Sequence, residues 1–141
     1  MSTQVIVYIL TALAALVIVL TRVRLGREHD AAGHFRVGSG LLVVHTVAGV
    51  LALVVWTVFL VAPEDSFLGG SLVGVLGLAL WWVVALAGLL ILMRWLPTRG
   101  RHSSVGSEDT WSEGPGLSVL AHVGVLLGTC VFTWAYLTSA V

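Results

Sequence analysis

The sequence predicts an all-α integral membrane four-helix bundle, and three observations predict it. Four long stretches, 5–21, 37–62, 67–93 and 117–139, contain no Asp, Glu, Lys or Arg. All seven positive charges are arginines, confined to the segments 22–36 and 94–101. The connections are short, so a chain of 141 residues has no run left for a separate soluble domain and reads as one four-span unit.

A helix needs roughly 20 apolar residues to cross about 30 Å of hydrocarbon, and within lipid each backbone amide must be satisfied inside its own segment. A hydrophobic fraction of 58% makes helices the only economical solution for all four stretches. The first stretch has no basic segment before it and is too long for the apolar part of a secretory leader, so it reads as a retained helix. The second and third are joined by the short acidic connection Pro63-Glu64-Asp65-Ser66. Between the third and fourth runs the polar segment 97–116, rich in Ser, Gly and acid, which reads as a mobile cytoplasmic loop. Pro115 and Gly116 mark the start of the fourth helix, where the missing amide hydrogen costs nothing.

Orientation follows from the arginines. Both Arg-bearing connections belong on the cytoplasmic face, which sets the chain N-out and C-out. The absence of Lys and Asn beside abundant Val, Leu, Ala and Gly suggests a GC-rich bacterial genome, and hence the bacterial plasma membrane. A formal net charge of zero gives no reason to expect a nucleic-acid partner, because the arginines are accounted for by topology.

Small residues recur at four-residue spacing, Gly70 and Gly74 in the third stretch and Gly124 and Gly128 in the fourth. Such pairs let helix backbones approach and offer a surface for helix–helix association, although glycine is also simply common in membrane helices. Trp95 and Tyr136 stand where interfacial anchors belong, while Trp56, Trp81, Trp82 and Trp134 lie deeper and are expected to pack a core. Cys130 is the only cysteine and has no partner for an intramolecular disulfide.

Five histidines remain. His29 and His102 fall in connections and His34 at the membrane boundary, leaving His45 and His122 as the intramembrane pair. Ionisable side chains at such depth usually face the bundle interior and are functional candidates by default. His45 follows Arg36, and His122 follows Pro115, at similar intervals, which places both roughly 10 to 13 Å below one surface at 1.5 Å per residue. Two imidazoles at one depth can ligate a haem from either side. Gly38, Ala48, Gly49 and Ala52 offer the small residues a flat macrocycle needs beside His45, and Ser118 and Thr129 flank His122. Arg36 is the nearest candidate for pairing with propionates, with Arg94 and Arg99 in reach.

The segment His34-Phe35-Arg36-Val37-Gly38, with His45 about three turns after His34, resembles the helix opening of ferric-reductase-like and related b-type membrane cytochromes. The resemblance covers about one span. It implies a b-type haem with His45 as a ligand, and adds His34 as a second candidate. The chain departs from the pattern at Phe35, which separates His from Arg, and in lacking a second His three turns from His122. A two-haem arrangement is therefore not expected.

What the spans lack narrows the function. Without an acid or arginine inside them, the coupling sites of pumps and transporters have no material. There is no nucleotide loop or nucleophile–base pair, and Thr110-Trp-Ser-Glu113 reads as a capping box. Two His without a nearby carboxylate or thiol leave a bare zinc or copper ion short of ligands. Two readings stay open. One is a small b-type cytochrome with a single bis-His haem relaying electrons, with a quinone or another respiratory membrane component as partner. The other is a cofactor-free scaffold or accessory subunit, in which the two His serve only as interhelical hydrogen-bonding groups.

Overall fold

The computed structural model describes residues 1–28, 39–95 and 115–141, and these form four helices: α1 Thr3–Glu28, α2 Ser39–Val61, α3 Ser71–Trp95 and α4 Pro115–Leu137. There are no strands among the described residues. Three helices are long and apolar enough to cross a membrane, over Val43–Val61, Ser71–Met93 and Val119–Leu137. The apolar part of α1 is the shorter run Thr3–Val19, and the helix continues beyond it into the Arg-bearing segment.

Each helix packs on its neighbours in sequence and α4 closes the bundle against α1, so α2 and α4 face each other across a diagonal. The α2–α3 contact is the most extensive, and α1 is the helix held least tightly. Many of the large apolar side chains of all four helices point outward, among them Leu13, Val54, Leu86 and Leu127. Outward-facing aliphatic surface on every helix is what a lipid environment favours and water would penalise.

The core is concentrated toward the end that carries the α2–α3 turn. Trp56, Trp81, Phe132, Ala52 and Ala135 are fully or almost fully buried there. Five rings make a continuous series: Trp81 to Phe132 at 5.5 Å between centroids, Phe132 to Trp56 at 5.1 Å, Trp56 to Phe59 at 5.3 Å and Phe59 to Tyr136 at 5.9 Å. All four contacts are tilted, the geometry the ring quadrupoles favour, and each adds about 0.5–1.5 kcal/mol beyond burial. Two glycines of α3 make room for them. A Cβ on Gly77 would lie 3.2 Å from Trp56 Cε3, and one on Gly74 would lie 2.5 Å from Tyr136 Cε2 and 3.0 Å from Phe59.

The turn between α2 and α3 is longer than the acidic tetrapeptide expected from sequence. Phe67 to Gly70 belong to it, and α3 begins at Ser71. Ser66 organises the segment: its hydroxyl donates to the Pro63 carbonyl at 2.6 Å and accepts from the Gly69 amide at 3.1 Å. A Cβ on Gly69 would collide with that same Pro63 carbonyl, so the tight return requires glycine. Gly70 caps α3, its carbonyl accepting from the Gly74 amide at 3.3 Å. Two tyrosine hydroxyls pin this end, Tyr8 donating to the Leu60 carbonyl at 2.9 Å and Tyr136 to the Ser71 carbonyl at 2.8 Å.

The deeper tryptophans divide. Trp56 and Trp81 are core residues as expected, and Trp82 donates its Nε1–H to Thr133 Oγ1 at 3.2 Å. Trp134 is 57% exposed, which corrects the core assignment made from depth alone. It sits one turn from the end of α4, on the outward face, where an indole serves as an interfacial anchor.

Candidate functional site

Three residues on three helices meet at one level of the bundle. His45 lies six residues into α2, His122 seven residues into α4, and Gly88 seven residues before the end of α3. At 1.5 Å per residue, each is about 9–11 Å from the same end of the bundle. Because α2 and α4 are diagonal, their imidazoles approach across the interior with ring centroids 6.0 Å apart and planes inclined by only 20°.

Gly88 is the residue that sequence reasoning missed. A Cβ there would come within 2.7 Å of His122 Cδ2, 3.1 Å of His45 Cε1 and 3.3 Å of His122 Nε2. Glycine on α3 is thus a condition for the two rings to approach each other. The signal was present in the sequence as an isolated glycine in a membrane helix, but glycine is frequent in such helices, and nothing in the spacing tied it to histidines on other helices.

The surroundings are apolar and open. A cavity of about 130 Å³ lies beside the pair, with Ala14 and Val17 of α1, Gly49 of α2, Val84 of α3 and Val125 of α4 among its walls. Gly49 is buried, and its missing Cβ leaves room for Val84 Cγ2 at 4.0 Å, which seats α2 against α3 beside the rings. Ala48 and Ala52 are buried as the small-residue pattern of α2 suggests.

His45 Nδ1 is buried without a hydrogen-bond partner of good geometry, and the backbone of Val84 is the acceptor beside the ring. Metal-bound imidazoles commonly use their second nitrogen in this way, donating to a backbone carbonyl that fixes the ring. Thr129, named from sequence as a polar neighbour of His122, spends its hydroxyl on the Val125 carbonyl of its own helix at 2.9 Å.

Arg36, Gly38, His34 and Arg99 lie outside the described residues, as do the side chains of Arg94 and Ser118. Among the described residues no three His, Cys, Asp or Glu side chains cluster as a metal site. Cys130 is free and exposed on α4. No protein family, no curated protein and no solved structure matches this chain.

Proposed function

We propose that the chain is a small four-span b-type cytochrome of the bacterial plasma membrane, oriented N-out and C-out, in which His45 and His122 hold one haem and relay electrons. The observation that carries this reading is the imidazole pair, 6.0 Å between centroids and near-parallel. The donor set supports the same group. Two protein ligands suit an iron whose four remaining positions are filled by a porphyrin, and leave a bare zinc ion two ligands short.

A haem held by His45 and His122 would supply one-electron exchange. The chain's own residues define the rest. His45 on α2 and His122 on α4 would hold the group from facing helices, and Gly88 keeps a side chain of α3 from intruding on the two rings. The walls of the cavity beside the pair are mostly apolar. On this reading Arg36 and Gly38, which precede α2 in the sequence, remain the candidates for the propionates and the ring edge.

Cofactor sites usually occupy about 300–1,000 Å³. A cavity of 130 Å³ is smaller, so seating a macrocycle requires one wall to move, and α1 is the helix with least to hold it. That same small volume favours the rival reading, a cofactor-free membrane scaffold or accessory subunit. Purification from haem-sufficient cells separates the two. The proposed cytochrome gives a reduced-minus-oxidised visible spectrum that disappears in His45→Ala and in His122→Ala, whereas a scaffold is colourless and both substitutions leave its spectrum flat.

A further inference from the structure

The inward face of α1 is a single stripe, Val7, Thr11, Ala14 and Ile18, spaced to fall on one side of a helix. It is sealed at one end and open at the other. Val7 is 0% exposed and Thr11 8%, and the Tyr8 hydroxyl on the Leu60 carbonyl ties these turns to α2. Ala14 and Ile18 are only partly buried, and beside them lie the cavity at the histidines and a second one of about 310 Å³.

On α1 the walls of these two spaces begin at Leu10 and continue through Ala14 and Val17. Across the second space, Gly124 and Gly128 of α4 offer no side chain to meet them, and a Cβ at either would touch nothing within 4 Å. Helices in a bilayer are held by close packing and hydrogen bonds. Among the described residues the N-terminal turns of α1 have both, and the half that faces the histidines borders open space instead.

Where the two halves join, the backbone carries a weak point. The Thr11 hydroxyl donates to the Val7 carbonyl of the preceding turn at 2.8 Å, giving that carbonyl a second donor. Bonding back to the preceding turn competes with the helix's own hydrogen bond and often bends a helix at that place. Ile18 is seven residues beyond Thr11, so a bend of about 20° there moves it about 4 Å.

From these observations we infer that α1 is a lid hinged at Thr11: its N-terminal turns stay docked on α2, while the half beyond swings away from α4 and opens the interior beside His45 and His122 sideways to lipid. The swing gives a flat apolar macrocycle a route to the imidazoles. That purpose rests on the proposed cytochrome, whereas the motion does not and is measured without haem.

The test uses the full chain, prepared without haem in phospholipid nanodiscs, with Cys130→Ser and one pair of spin labels on outward positions of α1 and α4. Leu16→Cys with Leu120→Cys reports the histidine half, and Val5→Cys with Leu137→Cys the docked end, all four residues being exposed. Pulsed dipolar spectroscopy should give the first pair a distribution that is broad, or double with maxima about 4 Å apart, and the second a single narrow one. Thr11→Val, which keeps the shape and removes the hydroxyl, narrows the first distribution, and Thr11→Ser, which keeps the hydroxyl, leaves it broad. In a chain that takes up haem, a cleavable cross-link between residues 16 and 120 slows uptake at least about tenfold until it is cut, and one between residues 5 and 137 does not. Equally narrow distributions at both ends, a width that Thr11→Val leaves unchanged, or haem uptake that the first cross-link does not slow overturns the lid. A moving α1 on a chain that takes up no haem upholds the lid and rejects the cytochrome, while a fixed α1 on a chain that binds haem does the reverse.

Discussion

The two ends of the bundle are built on opposite principles. Toward the α2–α3 turn, five aromatic rings interlock, two tyrosine hydroxyls tie helix to helix, and glycines on α3 are filled against by rings from α2 and α4. Toward the opposite end, among the described residues, two imidazoles meet across the diagonal, with cavities at their side and glycines on α4 that face empty space. Bilayer-embedded helices gain nothing from expelling lipid tails, so close packing and hydrogen bonds must hold them. The ring-filled end meets that requirement from its own side chains. Among the described residues the histidine end shows cavities in place of interlocked rings.

Breaking the dense end should have the largest effect. Trp56→Ala empties the middle of the ring series and should lower stability by about 3–5 kcal/mol, read as a fall in thermal midpoint in detergent. Gly74→Leu drives a side chain into Tyr136 and Phe59 and should cost about 1–3 kcal/mol in the same assay. At the histidine end the corresponding change acts on occupancy. Gly88→Ala should weaken haem retention about tenfold while the colourless protein keeps its thermal midpoint, because the atoms nearest the new methyl group belong to the two rings. If Gly88→Ala instead unfolds the bundle and spares the spectrum, the contrast between the ends is wrong. The smallest effect belongs to Thr133→Val, which removes the acceptor of Trp82 and should cost about 0.6 kcal/mol.

Much of this architecture was legible in the residues. Helix class and the starts of α2 and α4 within two residues follow from apolar runs bounded by arginine or proline, because satisfaction of the backbone in lipid leaves so few solutions. Sequence depth alone also placed His45 and His122 at one level, since rise per residue is constant. Rotation about the helix axis was not legible. It decides that Trp134 faces outward while Trp56 faces in, that Gly124 and Gly128 border a void while Gly74 meets two rings, and that Gly88 rather than a residue of α2 or α4 limits the approach of the imidazoles. A stripe uniformly apolar on all sides carries no moment to report which side is which, and only contacts with other helices fix it. The acidic turn was underestimated for a different reason: Phe67 to Gly70 extend apolar sequence into a return in which a Cβ on Gly69 would collide with the Pro63 carbonyl.

The account stands most directly on the visible spectrum of the purified chain, reduced minus oxidised, recorded for the parent and for His45→Ala and His122→Ala side by side. A haem band in the parent that both substitutions remove, with helix content by circular dichroism retained, is the predicted result. A parent without that band, or a band that survives either substitution at full strength, contradicts it.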